Sequence, residues 1–332
     1  GAILVTSAVS PIDDLTLDEM PRIQRTLRKR FHVGRRTNII DIGFGAALKR
    51  GRFQPNRGLC LSFLVRHKKT PRRMRDRIPP SVEVRVKRGR RFQKLEFPTD
   101  VVAVGGLTAT GRRLEYRTRH VTTGVIVAWR DSGNTQLSWG LLTVGHVFPR
   151  LSGIPPSRRK VKVVTTRGNF FGELVAKSDR DNGIDAAIAL VERQELIAKK
   201  LMTNSQAGRR IVPRPLARLQ RDRRKTGATL RTAGKRSFLV HAFFPRLRIP
   251  DVGELDCVVS AMAPTAGTFA QGTSGTSWLI VNQAACLQVA GRAPDYRQGF
   301  GQALSVIIDW AASELQQQRD IENDSFRTVA TF

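Results

Sequence analysis

The sequence predicts a mainly β protein whose strands form barrels or a sandwich, with a small α+β unit in front and a helix behind. Three observations carry this. From about residue 101 onward, short apolar stretches recur at similar intervals with turn residues between them. The first hundred residues differ in texture, with one segment of helical period followed by short strands in a strongly basic setting. Near the end, Leu304, Ile307, Ile308, Ala311 and Leu315 repeat at helical spacing.

The elements follow in order. Thr16 with Glu19 three residues on is a capping-box signature, and Leu17, Met20, Ile23 and Leu27 share one face, so a helix is predicted over 16–30. Its other face carries Arg22, Arg25, Arg28, Lys29 and Arg30. Strands are predicted at 38–42 and 59–65, then a charged connector at 67–77 and a hairpin over 81–86 and 92–97. Gly105, Gly106 and Gly111 mark a loop. Strands are predicted at 124–129, 136–143, 160–165, 170–176 and 186–191, with a hairpin turn at 131–134. The basic, proline-containing stretch 209–225 reads as a crossing between two halves, after which strands resume at 229, 236–244, 255–261, 277–281 and 286–290. Residues from 320 onward are polar and read as a frayed end.

Composition narrows the function classes. The chain has 332 residues, 40% of them hydrophobic, enough for a core in two domains or one large domain with an accessory piece. No apolar run approaches the roughly 20 residues a membrane helix needs. Residues 1–9 are mildly apolar but lack the basic start of a secretory signal. Cys60, Cys257 and Cys286 are too few and too scattered for a disulfide framework, which fits a reducing, cytoplasmic compartment. The five histidines form no cluster and no cysteine pair has ligand spacing, so no structural metal is expected. The net charge is +30 and uneven. Residues 21–120 hold 28 Lys/Arg against 6 Asp/Glu, residues 205–250 hold 13 against 1, and residues 251–332 are net acidic with 4 against 9. Such a field attracts an acidic protein, nucleic acid or an anionic surface, although charge alone specifies no contact.

Three short motifs carry chemistry. His146 follows an apolar strand in Thr143-Val144-Gly145-His146, flanked by small residues that leave room for a cleft. Asp185 enters the apolar run Asp185-Ala186-Ala187-Ile188-Ala189, where an unpaired carboxylate would be costly and an imidazole N–H would be a fitting partner. Ser274 lies in Gly272-Thr273-Ser274-Gly275, whose glycines permit a tight turn that aims the N–H groups of Gly272 and Ser274 at one point. Each motif taken alone reads as readily as ordinary structure. Together they supply a hydroxyl, a base and an orienting carboxylate, which is what acyl transfer by serine requires. Ser277 is a rival nucleophile without the glycine pair. The hydrolase elbow Gly-x-Ser-x-Gly is excluded because Thr276 stands at its last position and the histidine comes first. Residues 43–48 lack the third small residue of a dinucleotide fingerprint, and 227–236 has neither the spacing nor the hydroxyl of a P-loop.

The three motifs resemble the Thr-Ala-Ala-His, Asp-Ile-Ala-Leu and Gly-Asp-Ser-Gly segments of the trypsin-like serine peptidases. Their order is the same, with gaps of 39 and 89 residues here against about 45 and 93 in the family template. The resemblance covers about residues 100–318 and is nearest to intracellular bacterial members, which have plant relatives. Segments 98–102 and 225–229 also match, less specifically. It implies a double β-barrel at 105–332 crossed at about 205–228, behind a basic accessory domain at 1–104. It also implies a serine endopeptidase needing no cofactor, with His146, Asp185 and Ser274 as the triad and Gly272 and Ser274 as the oxyanion hole. Thr268 would lie at the base of the substrate pocket, beside Ala290 and Gly291, and strand 287–291 would pair with an extended protein substrate. Thr273 departs from the usual aspartate before the serine, which removes the ion pair that activates zymogens of this type. The rival expectation is a weak or inactive protease-like scaffold that binds nucleic acid or an acidic protein through its basic face, residues 21–120 and 205–250.

Overall fold

The computed structural model describes residues 11–34, 38–49, 52–54, 58–68, 77–105, 107–109, 124–148, 150–165, 167–179, 181–207, 213–215, 218, 229–231, 237–270, 273–280, 283–322 and 324–331. The protein is mainly β, with two large sheets and a C-terminal helix. After a 3-10 turn at Pro11–Asp14, helix α1 (Glu19–Arg30) begins on the expected capping box, Thr16 N–H donating to Glu19 Oε2 and Glu19 N–H to Thr16 Oγ1. It buries Met20, Ile23, Gln24 and Leu27 and exposes Arg22, Arg25, Lys29 and Arg30.

Strands β1 (Ile39–Ala46), β4 (Leu59–Val65), β5 (Ser81–Arg88) and β6 (Arg91–Ala103) follow, with a small ribbon of β2 (Leu48–Lys49) and β3 (Arg52–Phe53). β7 (Leu107–Ala109) comes next. The smaller of the two large sheets takes β8 (Val125–Trp129), β9 (Ser138–Thr143), β10 (Lys160–Thr165), β11 (Gly168–Lys177) and β12 (Ala187–Val191). Helices α2 (Arg193–Ala198) and α3 (Asn204–Ala207) lead away from it. Most of the expected crossing, at 208–212 and 219–228, lies outside the described residues. The chain then forms β13 (Thr229–Arg231), β14 (Ser237–Ile249), β15 (Gly253–Met262), β16 (Ser277–Ile280), β17 (Gln283–Arg292) and β18 (Gln298–Ala303). Helix α4 (Leu304–Arg319) and strand β19 (Arg327–Thr331) close it.

The larger sheet runs β13-β16-β17-β18-β15-β14-β1-β4-β6-β5, and β13 also pairs with β14, so its first six strands pair in a full circle. The smaller sheet runs β10-β11-β12-β9-β8-β19. The C-terminal end is therefore not frayed. β19 pairs with β8 from Arg327↔Ala128 to Thr331↔Val125, burying Val329 and Ala330, a pairing between segments about 200 residues apart that local polarity does not reveal.

The N-terminal strands continue the larger sheet, since β1 pairs with β14 at Phe44↔Phe243 and Gly45↔Ala242. A single core cluster joins Met20, Leu27, Phe44, Phe63 and Phe97 to Phe238, Phe243, Phe269 and Trp278. Gly43 and Gly45 serve this contact. A Cβ on Gly43 would lie 2.4 Å from the Phe244 ring, and one on Gly45 would lie 2.4 Å from the His241 carbonyl oxygen. The helix is tied to the sheet by a buried carboxylate. Asp41 Oδ1 accepts from Arg28 Nε at 2.9 Å and from the Ile42 N–H at 2.8 Å, while its Oδ2 meets Arg28 Nη2 at 2.5 Å. Arg28 also reaches Glu254 on β15. Among the described residues no helix is long and apolar enough to cross a membrane.

Candidate active site

His146 and Asp185 are brought together by neighbouring strands of the smaller sheet. β9 ends at Thr143, three residues before His146, and β12 starts at Ala187, two residues after Asp185; the strands pair with Ala187 opposite Thr143. The carboxylate accepts twice from the histidine, from the backbone N–H to Oδ1 at 2.7 Å and from ring Nδ1 to Oδ2 at 2.6 Å. A carboxylate only accepts, so Nδ1 carries the proton and Nε2 is the basic atom of the neutral ring. Both side chains are nearly enclosed, with relative exposures of 7% and 4%. His146 Nε2 is buried and has no hydrogen-bond partner among the described residues.

The loop before Asp185 is held from the other sheet. Gln302 on β18 accepts from the Asp185 N–H at 3.0 Å and donates to the carbonyls of Gly183 at 2.6 Å and Asp256 at 3.0 Å. Ser178 closes the other side, its Oγ accepting from Ala186 N–H at 2.9 Å and its own N–H donating to the Ala186 carbonyl at 2.8 Å. Gly183 sits at φ +73°, and a Cβ there would run into the Asp256 carboxylate at 2.4 Å. Burial pushes the Asp256 carboxyl above the ordinary range despite Arg246, whose Nε lies 3.0 Å away. Gln302 and Ser178 were not singled out from sequence; an amide 117 residues from Asp185 leaves no local signal.

Ser274 comes from the larger sheet, in a tight turn just before β16. Thr276 N–H donates to the Thr273 carbonyl at 3.1 Å, and Gly275 takes φ +90°, which a glycine adopts without steric cost. Thr273 holds the turn with neutral groups: its hydroxyl donates to the Ala270 carbonyl at 2.6 Å and accepts from the Gln288 amide. Gly275 N–H donates to the Gln288 carbonyl at 2.8 Å. Gly124, at the entrance to β8, packs against this turn so closely that a Cβ would meet the Gly275 carbonyl oxygen at 2.1 Å. The smaller sheet therefore abuts the serine turn.

The hydroxyl of Ser274 donates to the Val289 carbonyl at 3.2 Å and is not hydrogen-bonded to His146. The structure thus forms the His–Asp half of the constellation and sets the serine on the facing sheet, 5% exposed, with its hydroxyl turned along β17. Gly272, the other expected oxyanion donor, lies outside the described residues. Ser277, the rival nucleophile, is fully buried in β16. Thr268 is buried, its hydroxyl donating to the Thr265 carbonyl at 2.9 Å. Next to it Phe269 lies over Gly299, where a Cβ would come within 2.4 Å of the ring. Ala290 and Gly291 lie on β17 just past Val289. A cleft of about 400 Å³ opens beside the pair, lined by His146, Phe148, Arg150, Lys177, Ser178, Ile184, Asp185 and Val252.

No family model matches the sequence, and no curated protein matches it. Solved structures that match include a Nocardiopsis protease, 15% identical, covering 64% of this chain and 100% of its own, at a TM-score of 0.35. The Rv3671c protease of M. tuberculosis is 16% identical over 60% of this chain and 82% of its own, at 0.34. A Cellulomonas bogoriensis chymotrypsin is 15% identical over 64% of this chain and 100% of its own, at 0.34. At that level of likeness the reading of the site rests on its own geometry.

Proposed function

We propose that the protein is a serine endopeptidase in which Ser274 is the nucleophile, His146 the general base and then acid, and Asp185 the orienting carboxylate. The observation that carries this reading is the double acceptance by Asp185 of the His146 N–H and ring Nδ1, which leaves a buried Nε2 with no hydrogen-bond partner among the described residues. A histidine needed only for packing has no use for a basic nitrogen held in that way. A buried unsatisfied nitrogen costs about 1–3 kcal/mol, and a catalytic role is one explanation for a protein's keeping such an atom.

The steps follow from the groups present. The Ser274 hydroxyl leaves the Val289 carbonyl and turns to His146 Nε2. Nε2 takes its proton as Oγ adds to the substrate carbonyl, and Asp185 stabilises the imidazolium through Nδ1–H. The oxyanion is held by the N–H groups of Gly272 and Ser274. Collapse passes the proton from Nε2 to the departing amine and leaves an acyl-enzyme. Water, activated by the same nitrogen, then releases the acid and restores Ser274.

A fluorophosphonate probe tests the assignment. Wild-type protein should be labelled on Ser274, Ser274→Ala should not be labelled, and Ser277→Ala should retain labelling. Absence of labelling under every condition would overturn the peptidase reading. It would favour the second one, a protease-like scaffold that binds polyanions through its basic face, to which the engaged Ser274 hydroxyl lends support.

A further inference from the structure

The edge of β17 that faces the serine turn is used up residue by residue. β16 pairs with it as far as Leu287, opposite Ser277. At Gln288 the carbonyl accepts from Gly275 N–H and the N–H donates to the Thr276 carbonyl. At Val289 the carbonyl accepts from the Ser274 hydroxyl. The next three positions pair antiparallel with β7, in the register Ala290↔Ala109, Gly291↔Thr108 and Arg292↔Leu107. The stretch of β17 edge beside the nucleophile, where an extended peptide could add as a strand, is therefore occupied by the chain itself.

We propose that β7 is an internal pseudosubstrate, which an extended polypeptide must displace before it can reach Ser274. The proposal rests on the reading of Ser274 as the reacting residue. The direction of β7 fits the role. As β7 runs from Leu107 to Ala109 its partners fall from Arg292 to Ala290, so the strand heads toward Val289 and the serine. A substrate laid along the same path presents the peptide bond that follows its paired residues to the nucleophile.

Side-chain burial adds a specificity. Leu107 is 4% exposed and belongs to a core cluster that includes Val144, two residues before His146, Val289 and Ala290 on β17, and Phe300 on β18. The displacing segment therefore carries an aliphatic residue where Leu107 sits, two residues before the position now held by Ala109. β7 is suited to leave because among the described residues it makes three register pairs. Just before it, the segment is fastened by Val104 N–H to the Val65 carbonyl at 2.8 Å and by Gly105 N–H to the Arg66 carbonyl at 3.1 Å, with Gly105 at φ +58°. That anchoring keeps a released β7 close to its groove, as a tethered competitor.

The test separates this from the chemistry. In the full chain carrying Ser274→Ala, Leu107→Asp should strengthen binding of a fluorescent peptide containing Leu-Thr-Ala by about tenfold or more, because the competing strand is removed. With Ser274 intact, the same substitution should speed fluorophosphonate labelling. Thr108→Pro, which disrupts strand pairing without touching the leucine slot, is the second variant should Leu107→Asp fail to fold. Peptide binding unchanged in a folded variant, judged by near-ultraviolet circular dichroism, would overturn the pseudosubstrate. Stronger peptide binding with no labelling of any variant would sink the peptidase reading and with it the pseudosubstrate role, leaving β7 as a strand that competes with peptides for the β17 edge.

Discussion

The amide of Gln302 reaches three backbone groups around Asp185 from the opposite sheet, and it holds the carboxylate that aims His146. Gln302→Leu keeps the volume but removes all three bonds. In the proposed mechanism it is expected to lower kcat by about 10–100-fold with KM little changed, because a displaced base would miss the proton it must take. Steady-state kinetics on a peptide substrate would separate the two parameters; a change confined to KM would remove Gln302 from the positioning role. Asp185→Asn should cost more, on the scale of the roughly 10⁴-fold loss in the trypsin-like template, because the wrong tautomer leaves Nε2 protonated. At this scale the sequence was informative where chemistry is bound to a short motif. The contact between His146 and Asp185 was legible because a histidine after one strand and a carboxylate before another need each other. Gln302 was not, because its purpose exists only once β18 lies beside the Asp185 loop. The rotation of the Ser274 hydroxyl toward Val289 was equally invisible, since a side-chain torsion has no trace in residue order.

Helix α1 shows what one buried carboxylate does for an element. Asp41 is fully enclosed and burial pushes its carboxyl above the usual range, while Arg28 and the N–H groups of Ile42 and Arg248 pull the other way. Arg28 itself is held protonated by Asp41 and Glu254. Arg28→Met strands that carboxylate in the interior and should destabilise the protein by about 3–5 kcal/mol, whereas the double variant with Asp41→Leu should recover much of the loss. Urea unfolding of the three proteins measures it; additive losses would show that the pair is not coupled. The helix was legible in its capping box and in Met20, Ile23 and Leu27, because these signals are three and four residues apart; it begins at Glu19, later than expected, with Leu17 before it, and the burial of Gln24 had no local signal. β7 and β19 were not. The first read as a glycine-marked loop and the second as a frayed end, because each is a strand only by virtue of a partner about 180–200 residues away in sequence.

For the molecule as a whole, acid response and surface charge give separate expectations. His241 is fully buried where β1 meets β14, its Nδ1 beside Ser260 Oγ at 2.9 Å, and burial lowers its pKa from 6.5 to about 4. The unfolded chain takes up that proton at the higher value, so this contribution is complete above about pH 6.5. It is lost as pH falls toward 4 and levels off below, for a total of about 3 kcal/mol. Thermal or urea unfolding across that window should show the slope, and His241→Gln should flatten it. The net charge of +30 predicts retention on an immobilised polyanion that weakens steeply with salt. Elution that ignores ionic strength would leave the basic face without that role.

β1 lends its edge to β14, and Phe44 and Phe63 share one interior with Phe238 and Trp278. A chain cut down to the segment with the histidine, aspartate and serine would keep all three proposed reacting groups yet leave β14 with bare amides and carbonyls beside exposed rings. Such a torn seam invites other copies to stick, so the shortened protein should precipitate rather than work.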